Sequence, residues 1–348
     1  MIFMGPKVAV FGSGAGGLAA AATIAQRGHD VVVYSAYKSM LDKQGIQLEE
    51  AGVIKTLSVQ IKSEFPSLAE LDYALIVCPA DAREYYLQQV VARTGTKTKI
   101  VLIPGGLGFG LNHLEQLQNR GWYELNQLPY VARKTDGNAV TVHYRLPKLW
   151  CAAYPASDTT EAKETLDSLL GLSLGASEHT LHCGFFNWNM LLHPPLMLTN
   201  AGRIERQERF TFYREGVNTL AIHVMEKMDQ ERRNVMEKLG LFTPSLSEYL
   251  SGGKTMRLEE AVRTDAATGE VMAPTSLQHR YLTEDVPYNV VPLAWLGDIL
   301  TIDTPTVDAV VQWYHCLTQE PSFSSFAIKR LVGMSPKEIN LCAKGIME

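Results

Sequence analysis

Two sets of residues in this 348-residue chain have types and spacings that chemistry could use. The first is Gly12-Ser13-Gly14-Ala15-Gly16-Gly17, a GxGxxG run. In that pattern Gly12 permits a tight turn, Gly14 lets the backbone approach a pyrophosphate, and Gly17 lets a helix pack closely on a strand. The helix that follows offers unpaired N–H groups and a partial positive charge to phosphate, with Ser13 and Ala15 in the same cradle. The second set is in the other half of the chain: His193, followed by Pro194-Pro195, and the cluster Arg280, Glu284 and Asp285. A histidine near neutrality donates and accepts protons in both directions. A carboxylate on its second nitrogen would fix the tautomer and stabilise the imidazolium. An arginine fork would hold a planar carboxylate at two points. Each feature also has a plainer reading. The glycine run could be a structural turn, and a lone histidine is more often a hydrogen-bonded core or surface group. The prolines after His193 mark a place where a helix must end or restart. Thr283 reads as a helix N-cap, with Glu284 and Asp285 complementing the helix dipole and Arg280 pairing with Glu284 at the surface.

The elements around the glycine run favour the chemical reading. Lys7–Phe11 is a short apolar run of the buried-strand type, Leu18–Arg27 is an alanine-rich helix stopped by Gly28, and Asp30–Tyr34 is a second buried strand. Together they make one βαβ unit of the expected size. Strands at Tyr73–Cys78 and Lys99–Ile103, with a helix at Ala82–Arg93, continue an alternation that builds a parallel sheet. At the end of the second strand, where a carboxylate would select NAD through the ribose hydroxyl, the chain carries Ser35. A hydroxyl with a nearby cation, Lys38, would accept a 2′-phosphate, so NADP is the preferred coenzyme and NAD the alternative. Cys78-Pro79 and Pro104-Gly105-Gly106 follow strands, at the edge where an open α/β sheet binds its ligand. They are placed beside the adenosine and nicotinamide halves respectively, or are ordinary turns.

Val140–Ala153 and Thr180–Cys183 still read as strands. Beyond residue 183 the pattern turns helical: Val217, Leu220, Ala221, Val224, Met228, Val235 and Leu239 form one stripe, stopped by Gly240. Residues 243–279 lack long apolar periodicity and read as a loop or lid over a site, or as a surface connection. The expected fold is therefore an α/β N-terminal Rossmann-type dinucleotide-binding domain over 1–183, followed by a mostly α-helical C-terminal domain over 184–348 that carries substrate and catalysis. With 46% hydrophobic and 20% charged residues the composition is that of a soluble globular protein. A net charge of −5 argues against a nucleic-acid partner. The glycines break Val8–Ala25 as a signal sequence, and no apolar stretch is long enough for a membrane span. Five scattered cysteines without a CxxC pair point to a reducing, cytoplasmic setting. No metal is expected, because His179 and His182 form a lone pair without clustered acids.

The second-half segments together resemble the octopine/nopaline (opine) dehydrogenase family. The resemblance rests on an N-x-x-x-H-P segment at Asn189–Pro194, an N-A-G-R-I-E stretch at Asn200–Glu205, F-Y-x-E-G at Phe212–Gly216, E-R…L-G from Glu231-Arg232 to Gly240, and R-Y-x-x-E-D at Arg280–Asp285. It covers nearly the whole chain, and these motifs are far more specific than the glycine loop. It implies an NAD(P)-dependent oxidoreductase acting on CH–NH donors. Such an enzyme condenses an amino acid with a 2-oxo acid, pyruvate or 2-oxoglutarate by resemblance, and reduces the imine with hydride. It also implies that His193 is the acid/base, Asp285 its carboxylate partner, Arg280 the clamp for the keto-acid carboxylate, and Asn189 an orienting group. The departure is Ser35, where some relatives carry an acid. Two other readings stand beside this one: a 2-hydroxyacid or ketopantoate-type reductase, and a non-catalytic dinucleotide-sensing protein. The ketopantoate type uses a lysine at the start of its helical domain, whereas this chain has none between Lys163 and Lys227. The sequence is compatible with a homodimer.

Overall fold

A computed structural model describes residues 5–36, 44–117, 120–265, 269, 271–319 and 327–346. Lys38 lies outside the described residues. The chain divides into two compact units. The first holds 1–105, 113–183 and 343–348, and the second holds 106–112 and 184–342. The short segment 106–112 thus belongs to the second unit although the sequence reading assigns it to the first.

The first unit is an eleven-stranded sheet with its helices. In chain order the strands are β1 (Val8–Phe11), β2 (Val31–Tyr34), β3 (Gln44–Glu50), β4 (Val53–Lys62), β5 (Tyr73–Ile76), β6 (Lys99–Leu102), β7 (Trp122–Leu125), β8 (Tyr130–Lys134), β9 (Ala139–Arg145), β10 (Leu149–Tyr154) and β11 (Leu174–Ala176). They lie in the order β11-β10-β7-β6-β5-β1-β2-β4-β3-β9-β8. β1 pairs in parallel with β2 on one side and with β5 on the other. The chain therefore winds outward from β1 in both directions, and an open α/β sheet binds its ligand at such a reversal. Every residue of β1 is buried, which explains why it reads as a continuous apolar run. The apolar helix Ala15–Gln26 packs its alanines and Leu18 and Ile24 into the same core, and Gly28 follows with φ +87°.

Two strand expectations need correction. Val140–Ala153 is not one strand but β9 and β10, near opposite edges of the sheet, because Pro147 between them cannot donate to a ladder. Thr180–Cys183 is helical, within Thr180–Phe185. There the histidines feed the backbone: His182 Nδ1 accepts from the amide of Glu178, and His179 Nδ1 from the amide of His182. A short apolar run does not distinguish a buried strand from a buried helix.

The second unit is helical. Its longest helix, Thr219–Lys238, starts where the Asn218 side chain accepts from the Ala221 amide and gives way to Gly240 at φ +70°. The buried face keeps most of the stripe read from the sequence, with Val217, Ala221, Met228, Val235 and Leu239 buried, but it is broader and leaves out one position. Leu220 is 60% exposed, whereas Ile222, Met225, Asp229 and Arg232 are buried. Residues 243–279 are not a simple loop. They include Leu246–Leu250, opened by a reciprocal Ser245–Glu248 capping box, and Leu258–Thr264, with Leu246, Leu258, Ala261 and Val262 in the core. No helix among the described residues is long and apolar enough to cross a membrane.

Arg232 organises this unit. Its guanidinium, with no exposed surface, donates to Asp229, the Phe185 carbonyl, Thr243 and the Pro244 carbonyl, and lies 4.6 Å over the Trp188 ring. The aromatic ring of Tyr249 stacks on that indole at 4.4 Å. Trp188 precedes the helix Asn189–Thr199, so this stack anchors the helix that carries His193. The Arg232→Ala variant removes the buried partner of the Asp229 carboxylate and leaves it only the partly exposed Arg233, 3.5 Å away. We expect it to lose about 3–5 kcal/mol of stability, read as a lowered Tm; an unchanged Tm would show that the pair does not hold the unit.

Candidate active site

In the first unit the glycine loop joins β1 to the helix Ala15–Gln26. Gly12 has φ +123°, and a Cβ there would stand 2.1 Å from the Val77 carbonyl oxygen. A Cβ on Gly17 would stand 2.0 Å from the Gly12 carbonyl oxygen. Both positions therefore exclude a side chain because backbone passes against backbone. Gly14 differs: a Cβ there would meet nothing within 4 Å, and no side chain caps the helix that Gly14 opens. Open space in front of an uncapped helix N-terminus fits a phosphate group. Ala15 is the first residue of that helix.

Ser13 and Ser35 are both buried, and their hydroxyls share a 2.7 Å hydrogen bond. Ser35 therefore ties the end of β2 to the glycine loop. The next amide, Ala36, donates to the Tyr86 hydroxyl at 3.0 Å. Pro79 follows β5 and precedes the turn Ala80–Ala82. Gly105 follows β6; its amide donates to the Leu125 carbonyl and its carbonyl accepts from the buried Arg83. A Cβ on Gly105 would stand 2.5 Å from the Glu124 carboxylate.

In the second unit His193 sits within the continuous helix Asn189–Thr199, which corrects the expected break at Pro194-Pro195. The prolines remove the amides that would reach the carbonyls one turn back, at a cost of about 3 kcal/mol for each interior position. Eight consecutive buried residues, Met190–Met197, show what opposes that cost. Asn189 lies one turn before His193 on the same face. Thr283 is not an N-cap either. It ends the short helix Arg280–Thr283, whose first amides are served by His279 Nδ1 accepting from Tyr281. Asp285 then precedes a π-helical turn, Val286–Val290, that runs into the helix Val291–Leu300. Asn187 donates to Asn289 at 3.1 Å, a buried amide pair that locks this turn to the start of the His193 helix.

That lock brings His193 Nδ1 to 2.6 Å from Asp285 Oδ2, with the histidine only 6% and the aspartate 8% exposed. Nδ1–H donates to the carboxylate, which fixes the tautomer and the orientation of the ring. Nε2 lies 2.6 Å from the Tyr213 hydroxyl. Tyr281 stacks on the imidazole with ring centroids 3.7 Å apart, and Phe212 stacks on Tyr281. Burial holds the Tyr213 hydroxyl well above the ordinary tyrosine pKa, with Tyr281 and Asp285 adding to the shift and the Arg280 charge opposing it. Arg280 is exposed and, among the described residues, its side chain makes no ion pair or hydrogen bond, so the expected surface pair with Glu284 is absent.

The structure thus brings His193 and Asp285 into contact and sets the Arg280 charge close enough to act on Tyr213. The sequence reading passed over Tyr213, Tyr281, Asn187 and Asn289 as groups. The first two lie inside the F-Y-x-E-G and R-Y-x-x-E-D segments, so the signal was present as a motif without a role. The F-Y-x-E-G segment is itself a closed turn. Glu215 accepts from the amide and hydroxyl of Thr211, and a Cβ on Gly216 would stand 2.3 Å from the Phe212 carbonyl oxygen.

Residues 176–318 match the family model of the α-helical domain of NAD/NADP octopine/nopaline dehydrogenase, and residues 8–128 match that of ketopantoate reductase PanE/ApbA. An opine dehydrogenase from Arthrobacter sp. (strain 1C) is 30% identical over 317 residues, covering 87% of this chain and 88% of the relative. The fold is also that of octopine dehydrogenase solved with NADH and pyruvate, at TM-score 0.81 and 18% identity over 99% of each chain. Yersinopine dehydrogenase with NADP+ bound matches at TM-score 0.73 and 14% identity, over 97% of this chain and 98% of the other. With a glycine-loop dinucleotide unit, a helical unit built around a histidine–aspartate pair and a relative at this identity along most of its length, the chain belongs to the octopine/nopaline (opine) dehydrogenase family, NAD(P)-dependent oxidoreductases that reductively condense an amino acid with a 2-oxo acid.

Proposed function

We propose that this chain condenses the amino group of an amino acid with a small 2-oxo acid, pyruvate or 2-oxoglutarate, and reduces the product to an N-(carboxyalkyl) amino acid with NADPH as the preferred coenzyme. The observation that carries the proposal is the buried His193–Asp285 pair, with the exposed cation Arg280, which has no ion pair among the described residues, on an adjoining turn. Gly12, Ser13, Gly14, Ala15 and Gly17 would hold the pyrophosphate. Ser35 and Lys38 would hold the adenosine ribose and its phosphate, with Pro79 and Gly105 bordering the two halves of the coenzyme. When bound, the coenzyme supplies the hydride.

The protein's own residues do the rest. Arg280 grips the keto-acid carboxylate as a planar fork and fixes its orientation. Asn189 orients the reacting group. After the amino nitrogen adds to the keto carbon, the oxygen must leave as water, and His193 supplies the proton it needs. Asp285 keeps Nδ1 protonated throughout and stabilises the cation. In the reverse direction His193 takes the proton back. The NADP preference is supported by a serine in place of a carboxylate at the end of β2, since a carboxylate there would repel a 2′-phosphate. We place the enzyme in the cytoplasm, where the five free cysteines stay reduced.

The family model matched by residues 8–128 favours one alternative, a ketopantoate-type reductase acting on the keto acid alone. Oxidation of NADPH and NADH with single 2-oxo acids, single amino acids and their pairs separates the two. Turnover that requires both substrates supports condensation, and turnover with the keto acid alone overturns it. A kcat/KM ratio favouring NADH would overturn the coenzyme preference. His193→Ala should abolish most turnover while leaving coenzyme affinity intact. Asp285→Asn, which preserves shape but not charge, should lower kcat by about 100-fold or more. Arg280→Ala should raise KM for the keto acid far more than KM for the coenzyme, and equal effects would argue against the clamp.

A further inference from the structure

Arg280 carries the proposed grip on the keto acid, and its side chain is exposed. Among the described residues the guanidinium makes no ion pair or hydrogen bond, so its place is set by the backbone beneath it. That backbone is a single helical turn, Arg280–Thr283, too short to be stable by itself. A cation at the first position of a helix also works against the helix dipole. His279 is what closes the turn. Its carbonyl accepts from the amides of Leu282 and Thr283, at 2.8 and 3.1 Å. Its side chain is the N-cap, with Nδ1 accepting from the amide of Tyr281 at 3.3 Å. An imidazole nitrogen accepts only while it carries no proton, whereas the ordinary uncharged caps, serine, threonine and asparagine, accept at any pH.

We propose that His279 is a positioning residue for Arg280, closing the turn that presents the cation while its imidazole is neutral and releasing it when protonated. The inference rests on the reading of Arg280 as the keto-acid clamp. The proton comes from solvent, because His279 is partly exposed. Once protonated, Nδ1 is a donor facing the donor of Tyr281, and a second cation stands at the start of the helix. Both changes oppose the turn. The cap is therefore present above the histidine range, which centres on about 6.5 for an unperturbed imidazole, and is lost as the pH falls through it.

The surroundings tie this cap to the chemistry. The ring of Tyr281 meets the His279 imidazole edge-on at 4.4 Å, and the same ring stacks on His193 at 3.7 Å. The charges about that stack are Asp285 and the Tyr213 hydroxyl, both engaged with His193, and Arg280, whose charge favours a neutral His279. Glu284 closes the far end of the turn through its amide, which donates to the Arg280 carbonyl. One capped turn thus fixes Arg280 relative to the imidazole of His193. A keto acid must span that separation, with its carboxylate at the cation and its reacting carbon at the acid/base.

The test is the KM for the keto acid, measured from about pH 8 to about pH 5.5 with coenzyme and amino substrate saturating. Losing one N-cap corresponds to about a fivefold change. The wild type should therefore show KM rising about fivefold on acidification. H279A, without an acceptor, should show the raised KM at every pH. H279N restores an acceptor that does not titrate, so it should match the wild type at the upper pH and lose the rise. A rise that persists in H279N would overturn the inference. So would H279N as impaired as H279A at the upper pH, which would assign the effect to the ring contact with Tyr281. A KM that falls on acidification also overturns it, because the imidazolium would then draw the carboxylate directly. Tm and coenzyme affinity report whether each variant folds, and if H279A does not, the wild-type and H279N profiles decide. R280A separates the two readings. A wild-type KM for the keto acid in R280A removes the clamp and this inference together. A raised KM in R280A beside an unaltered pH profile in H279N removes only the cap.

Discussion

A carboxylate and an imidazole 2.6 Å apart, both nearly out of reach of water, constrain everything built around them. Buried ionisable groups are tolerated only when paired and hydrogen-bonded, so Asp285 and His193 must be delivered to each other accurately. The helix that carries His193 is anchored at its start by Trp188, which is held between Arg232 and Tyr249. The turn that carries Asp285 is tied to the same start by the Asn187–Asn289 amide pair. The imidazole is then fixed on its remaining sides by Tyr213 and Tyr281. A second buried ion pair, Arg232–Asp229, thus stands behind the first, and the capped segment 245–250 contributes the Leu246 amide to Asp229. Two charge pairs in one helical unit are a costly arrangement, and the geometry of the first is what that cost maintains.

The first unit answers a different constraint, the close passage of backbone past backbone. At Gly12 and Gly17 any side chain would overlap a carbonyl oxygen, while at Gly14 there is room. The loop is consequently tight where strand meets helix and open where a phosphate would sit. The strand that feeds it, β1, lies at the point where the sheet reverses its winding, with parallel neighbours on both sides. The Ser13–Ser35 hydrogen bond links this loop to the end of β2, so the two segments move as one.

Local chemistry made part of this legible without a structure. A glycine forced by backbone contact, a fully buried strand and an alanine-rich helix each leave a pattern within a dozen residues, so the βαβ unit and its phosphate loop could be read directly. The helical character after residue 183 could be read as well, and so could the family, through segments that include His193, Arg280 and Asp285. Local pattern misled where an apolar run was short or where a proline sat inside a helix. At Thr180–Phe185 histidine side chains accept from the amides of Glu178, before the helix, and His182, within it, and Asn189–Thr199 continues through two prolines because its surroundings bury it. In Thr219–Lys238 the apolar stripe marks most of the buried face, but the pattern does not show that polar Asp229 and Arg232 point inward and Leu220 outward.

The amino-acid sequence by itself determined the two-part architecture and the dinucleotide loop, because these follow from contacts between near neighbours, whereas His193 and Asp285 stood out as acid/base candidates only through the family resemblance. Only the tertiary structure decided which nitrogen of His193 meets Asp285, that Tyr213 and Tyr281 lie against the same ring, and that Arg280 makes no ion pair or hydrogen bond among the described residues. Those facts depend on groups 20 and 92 residues apart along the chain meeting at hydrogen-bond distance. Such meetings are set by how helices pack, and no periodicity along the sequence records them.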